Sequence, residues 1–289
     1  MKPTLALCAL ALPAVSVCST AWADDVPPAR SQPVQTYEIV QSYKTAEQRD
    51  GGSSGTSNGR NTLIERVIAI RQDGAELEFD MPEGATADER ARTWQFPVRV
   101  FRPSTGPLQL LNKDELEARV DQWLKAAGMT RAACGRWIFT WTAFRVECDP
   151  ESVVATLEPL DLRSGELGDG APYRVPGATG VGQLTATAAI GGGLTFTSSV
   201  ELDPEEFRRV QAESDVVLGE ISQRPVSFAD ALKQRALESV SGTIAVTIET
   251  DSRGQALRRT TITSIEIRGQ DGRHEGRTMT EVVERRLLR

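Results

Sequence analysis

The stretch IAVTIETDSRGQALRRTTITSIEIRGQDGRHEGRTMTEVVERRLL, residues 244–288, carries the clearest structural pattern in the chain. Apolar and polar residues alternate over 244–248, which is the period of a strand with one buried face. Two polar turns that contain glycine, 251–254 and 270–272, divide the stretch into three segments. It therefore predicts a three-stranded antiparallel meander at the end of the chain.

Further strands and helices are predicted upstream of this meander. Residues 63–71 and 75–81 read as a hairpin, because Asp73-Gly74 between them suits a tight turn. About four helices are inserted between strands, and their predicted starts are Asn112 with Glu115 as a capping box, Asp149-Pro150, Asp203-Pro204 and Ser227. The polar segment 50–61 is predicted to be a flexible loop.

These elements indicate an α+β class with a predominantly antiparallel sheet, for which a half-barrel with helices on its concave side is one arrangement. A connection rich in Gly and Pro, 164–183, separates an N-terminal region, 36–163, from a C-terminal region, 184–289. The pattern leaves open whether the two regions form one domain. A proline-containing segment, 24–35, is predicted to be an extended tether ahead of them.

The first 23 residues predict a secretory signal peptide. Lys2 provides a positive start, 5–17 is a short apolar run, and 21–23 supplies small residues at a cleavage site that follows Ala23. The expected location is therefore the periplasm of a bacterial envelope, or the exterior. Lipid attachment at Cys18 is disfavoured because the bulky Val17 precedes it, and no later stretch is long and apolar enough to predict a transmembrane segment.

Composition narrows the expected partners and the redox chemistry. The full chain of 289 residues has a formal charge of −7, and loss of Lys2 with the signal makes it −8. An acidic chain of this kind argues against nucleic acid as a partner. In an oxidising compartment, the two cysteines that remain, Cys134 and Cys148, predict a structural disulfide that closes a hairpin.

Alternating aromatic residues lie between these cysteines. Trp137, Phe139 and Trp141 would share one face of a strand, either as part of the core or as an exposed strip that contacts a ligand. We take them as the candidate ligand-binding residues.

The sequence contains no specific catalytic, metal or cofactor motif. Gly51 to Gly55 matches G-x-S-x-G, but a polar run follows where a helix is needed. The single histidine, His274, argues against a zinc enzyme, which usually needs two or three imidazoles. We therefore predict no catalytic residues, no metal and no cofactor.

Three function classes follow from these observations. The first is a non-enzymatic binding or carrier protein for an apolar or envelope-derived ligand, held between sheet and helices. The second is an exported hydrolase that uses paired carboxylates. The third is an interaction or structural module whose partner is another envelope protein. Neither the ligand nor the oligomeric state can be deduced from the pattern.

Overall fold

The C-terminal meander is present in the computed structural model, which describes residues 35–139, 143–163, 167–189 and 192–288. Its strands are β12 (Ser239–Thr250), β13 (Ala256–Arg268) and β14 (His274–Leu288). The alternating residues of β12 are buried, which confirms the predicted one-sided burial. The turn between β12 and β13 is held by Asp251, whose carboxylate accepts the backbone N–H groups of Arg253 and Gln255 at 2.9 and 2.8 Å.

The N-terminal strands form a second meander. They are β1 (Thr36–Arg49), β2 (Ser54–Arg71), β3 (Gly74–Asp80), β4 (Val98–Pro103) and β5 (Gln109–Leu110). The predicted hairpin over 63–81 is confirmed by the β2–β3 pairing. The predicted signal peptide and all of the predicted tether except Gln35 lie outside the described residues, and residues 32–289 form one compact unit.

The prediction of a flexible loop over 50–61 is wrong. Only a short turn remains, and β2 begins at Ser54 and pairs with β1 from Ser54 to Arg66. The side chains of this part of β2 are largely exposed, while its backbone groups are paired with those of β1. Backbone pairing can hold such a segment as a strand without an apolar face.

Ten strands make one open antiparallel sheet. Two more strands from the C-terminal region, β10 (Thr185–Ala188) and β11 (Leu194–Glu201), extend the meander beyond β12. The strand order is β10-β11-β12-β13-β14-β1-β2-β3-β4-β5. The two meanders are joined by the pairing of β1 with β14, in which Thr36 lies opposite Leu288. The sheet-dominated α+β class is thus confirmed, and the sheet is not closed.

Among the described residues, five helices accompany the sheet, against about four expected. They are α1 (Ala87–Arg92), α2 (Lys113–Ala126), α3 (Ser152–Leu157), α4 (Pro204–Ile221) and α5 (Phe228–Arg235), with single 3-10 turns at Arg131–Ala133 and Glu158–Leu160. Asp203 and Ser227 cap α4 and α5 as predicted. The predicted start at Asp149-Pro150 falls two residues early, since α3 begins at Ser152.

The predicted capping box of α2 is not formed. The side-chain oxygen of Asn112 accepts the backbone N–H of Arg99 in β4 at 2.9 Å, and its amide group donates to Glu115 at 3.1 Å. Asn112 therefore ties the start of α2 to the sheet, while the N–H groups of its own first turn receive no bond from this side chain. A tertiary bond takes the place of the local one.

Two small hairpins complete the described fold. In the first, β6 (Trp137–Phe139) and β7 (Ala143–Arg145) lie between Cys134 and Cys148, which form the predicted disulfide with a Cα–Cα distance of 5.6 Å. In the second, β8 (Pro172–Arg174) pairs with β9 (Val181–Gln183) inside the connection rich in Gly and Pro.

A single apolar core underlies the sheet and joins it to α2. Side chains of both meanders and of α2 belong to this one cluster, among them Ile39, Leu77, Val98, Leu116, Val120, Leu124 and Val246. Packed side chains therefore lie between the sheet and α2.

Candidate functional site

A cavity of about 450 Å³ opens at one end of the large sheet. Neighbouring antiparallel strands alternate in direction, so the cavity is lined where β1, β3 and β13 begin and where β2, β4 and β14 end. Its volume lies within the range of about 300–1,000 Å³ that is usual for small-molecule sites. The segment after the 3-10 turn Glu158–Leu160 lines it too, through Leu162 and Arg163.

The cavity has an apolar wall. Tyr37, Ala75, Leu162 and Ala256 are buried side chains that face it, and Val67 is half-buried beside them. A wall of this kind can take up a hydrocarbon group by removing its surface from water.

Within the described part of the chain, the charged side chains that line the cavity are four arginines, although the chain as a whole is acidic. They are Arg71 at the end of β2, Arg102 near the end of β4, Arg163 after the 3-10 turn, and Arg285 near the end of β14. Each comes from a different part of the chain, so only the fold brings them together. The cavity thus combines an apolar wall with guanidinium groups.

Arg285 is fixed by a row of neighbours across three strands. Tyr37 lies directly opposite Glu65 in the β1–β2 ladder, and Arg285 is its diagonal neighbour on β14. Arg285 binds the carboxylate of Glu65 through two nitrogens, at 2.6 and 3.2 Å, and its Cζ lies 3.3 Å from the centre of the Tyr37 ring. Burial acts to lower the pKa of Arg285, but hydrogen bonding and attraction to Glu65 outweigh burial and raise it.

Arg102 and Arg163 share the half-buried carboxylate of Asp161. Arg163 donates its Nε–H to Oδ2 of Asp161. Arg102 Nη1 lies 3.6 Å from Oδ1 of the same carboxylate, too far for a hydrogen bond, and Oδ1 is buried without a hydrogen-bond partner among the described residues. Among the described residues of 35–288, the side chain of Arg102 forms no hydrogen bond. Its guanidinium donors are therefore available to a ligand.

Arg71 shares the buried Glu76 with Arg99. Arg71 Nη2 is 2.9 Å from one carboxylate oxygen, and Arg99, the diagonal neighbour of Glu76 on β4, bonds the other. The hydrogen bond to Glu76, and then attraction to its charge, raises the pKa of Arg99. The lining arginines are thus ion-paired with three carboxylates, those of Glu65, Glu76 and Asp161.

The aromatic residues between the cysteines lie apart from this cavity. Trp137 is half-buried and lines a separate cleft with Arg136, Arg145 and Glu220 of α4. Its neighbour Ile138 packs against the core from the opposite face of β6. The side chain of Phe139 and the whole of Trp141 lie outside the described residues, so the role of this strip in ligand binding stays a prediction.

The arginine cavity was not predicted from the sequence. The available signal is the basic balance of 251–289, which contains nine arginines and six acids, but such a charge pattern usually indicates a solvated sheet face. Arg285 comes from that region, whereas Arg71, Arg102 and Arg163 come from three separate segments upstream of it.

The described residues contain neither a metal-binding cluster nor a membrane-spanning helix. Their His, Cys, Asp and Glu side chains form no group of three or more that could hold a metal ion. Within the same ranges, no helix combines the length and the apolar character that crossing a lipid bilayer requires.

Comparison with known proteins places the chain in no family. No protein-family model and no curated protein matches it. Among solved structures it is aligned with Ail, the attachment invasion locus protein of Yersinia pestis (8% identity, 88% of this chain and 99% of that chain, TM-score 0.13). It is also aligned with the translocator domain of autotransporter NalP from Neisseria meningitidis (7%, 89% and 90%, 0.15) and with a conserved hot dog fold protein of unknown function from Alicyclobacillus acidocaldarius (11%, 91% and 81%, 0.11). TM-scores this low support no inference about this chain.

Proposed function

We propose that this protein is a non-enzymatic binding or carrier protein for a small anionic amphiphile, which it holds in the arginine-lined cavity. The main support for this proposal is the state of Arg102. Its half-buried guanidinium faces the cavity and makes no side-chain hydrogen bond among the described residues. A carboxylate, sulfate or phosphate group accepts hydrogen bonds from such a donor, and guanidinium geometry favours two at once. The apolar wall would contact the rest of the ligand.

The proposal includes location and shape. Export to a bacterial periplasm, after cleavage following Ala23, agrees with a disulfide of the kind that persists in oxidising compartments. A half-barrel curvature of the open sheet would place the cavity at one mouth of the sheet. Expression of the full chain in a Gram-negative host tests the location. The expected intact mass is that of a chain beginning at Asp24, and retention of residues 1–23 or an acylated Cys18 would refute it.

Ligand binding is tested by isothermal titration with three amphiphiles that share an eight-carbon chain. We expect octyl sulfate to bind, whereas octyltrimethylammonium and octyl glucoside, one cationic and one neutral, should not. Absence of octyl sulfate binding, or equal binding of all three compounds, would contradict the proposal.

Substitution of Arg102 locates the site. Arg102→Ala removes donors whose hydrogen bonds to a charged group contribute about 1.5–3 kcal/mol, so the affinity for octyl sulfate should fall about tenfold to hundredfold. Arg136→Ala, in the cleft beside Trp137, is the matched control and should leave the affinity unchanged. Thermal unfolding of both variants checks that they are folded. Loss of binding with Trp137→Ala but not with Arg102→Ala would move the site to the aromatic hairpin.

A further inference from the structure

The charges around the cavity do not balance. The lining arginines and the groups bonded to the same acids comprise five guanidinium groups and three carboxylates: Arg71, Arg99, Arg102, Arg163 and Arg285 against Glu65, Glu76 and Asp161. Two of the carboxylates are each shared by two arginines. Asp73 and Asp251, in the flanking turns, form no ion pair with these arginines among the described residues. The network of ion pairs formed by the lining arginines therefore carries an excess of two positive charges.

The position of this excess is specific. Glu65 and Arg285 balance each other in a bidentate pair, so the surplus lies with the Glu76 and Asp161 groups. The Asp161 group is more accessible to a ligand than the Glu76 group. Both arginines of the Asp161 group, Arg102 and Arg163, line the cavity, whereas Arg99 of the Glu76 group does not. Two guanidinium forks around one carboxylate leave donors for the several oxygens of an anion.

We infer that the headgroup bound in this cavity is a dianion, a phosphate monoester, which would neutralise both surplus charges. This inference rests on the proposed function. A phosphate monoester carries close to two negative charges at pH 7, with three acceptor oxygens, and its second pKa is about 6. A sulfate ester or a carboxylate carries one charge and would leave one guanidinium unbalanced. The source is either a phosphorylated lipid-like molecule or free phosphate.

The cavity itself is a suitable background for a pH experiment. The ionisable side chains of the lining and of its ion pairs are the five arginines, the three carboxylates and Tyr37, and Asp73 and Asp251 lie in the flanking turns. None of these is histidine, the side chain that ordinarily titrates between pH 5 and 8. His274 lies at the other end of β14, about 36 Å from Arg285 at 3.3 Å per residue. A change in affinity over this range would therefore report the charge of the ligand.

The experiment measures the affinity of octyl phosphate and octyl sulfate at pH 5 and pH 8. At pH 5 both ligands are monoanions, and we expect similar affinities. At pH 8 octyl phosphate should bind about tenfold to hundredfold more tightly than octyl sulfate, the gain expected from one additional charge-assisted contact. Equal affinities at both pH values would overturn the dianion inference but leave the proposed function standing, whereas failure of both ligands to bind would overturn both.

Two variants and a third ligand sharpen the result. Asp161→Asn raises the surplus by one charge and should tighten octyl phosphate binding at pH 8, while Arg163→Gln lowers it and should weaken that binding. Glu213→Gln, which removes an exposed acid paired with Arg209 on α4, is the matched control, since neither residue lines the cavity. Weakened binding with Asp161→Asn in a folded protein would count against the charge argument. Inorganic phosphate that binds as tightly as octyl phosphate would assign the site to the free anion.

Discussion

The buried pair of Glu65 and Arg285 provides the sharpest prediction about stability. Glu65 is 3% exposed and binds Arg285 through both carboxylate oxygens. Glu65→Gln keeps the size of the side chain and one acceptor but removes the negative charge. Loss of one partner of a buried ion pair costs about 3–5 kcal/mol. The retained hydrogen bond recovers about 1 kcal/mol of this, so we expect the free energy of unfolding to fall by about 2–4 kcal/mol.

Urea denaturation at pH 7, followed by tryptophan fluorescence, measures the change in the free energy of unfolding. The matched control is Glu284→Gln, whose partners Arg258 and Arg286 are both exposed side chains, and it should cost less than about 1 kcal/mol. The double variant Glu65→Gln/Arg285→Gln removes the uncompensated charge as well, so it should be no less stable than Glu65→Gln alone. A loss below about 1 kcal/mol for Glu65→Gln would refute the reasoning, because the carboxylate could not then be balancing a buried charge.

The remaining predictions also concern stability. Replacement of Cys134 and Cys148 by alanine opens a loop with a sequence separation of 14 and should lower the free energy of unfolding by about 3 kcal/mol, measured against the oxidised protein; an unchanged value would mean that the disulfide adds nothing. Gly242→Ala would place a Cβ on the carbonyl oxygen of Ser264 in the neighbouring strand and should cost about 1–3 kcal/mol, while Gly55→Ala has only Glu47 within 4.0 Å and should cost less than about 1 kcal/mol. Equal losses for the two glycine variants in thermal melts would contradict this argument.

Local patterns explain why the strands and caps could be predicted. The alternation over 244–248, the turn at Asp73-Gly74 and the Asp203 cap each depend on neighbours a few residues away, and all three are present in the structure. The prediction of a flexible loop over 50–61 is wrong because the conformation of that segment depends on a partner strand and not on its own sequence. That segment is a strand because β1 pairs with its backbone, and backbone pairing leaves no mark on the side-chain pattern.

The cavity could not be predicted because its parts are distant in the sequence. Glu65 and Arg285 are 220 residues apart, and they meet only because the β1–β14 ladder brings the two meanders together. An arginine at the end of a strand has the same local signature whether it faces solvent or a cavity. The alternating aromatic residues between the cysteines form a stronger local pattern than these arginines. For that reason they are the predicted ligand-binding residues.

The β1–β14 ladder also sets the order in which the protein can be completed. Within each meander, the paired strands follow one another along the chain. The pairing of β1 with β14, in contrast, can form only after the last 15 described residues, those of β14, are present. Contacts of such long sequence separation form late and slowly. Until β14 is in place, β1 and β13 present unpaired edges of 14 and 13 residues, the kind of surface that recruits other chains. A chain that stops short of β14 should therefore aggregate, whereas the finished sheet ends in strands of only four and two residues.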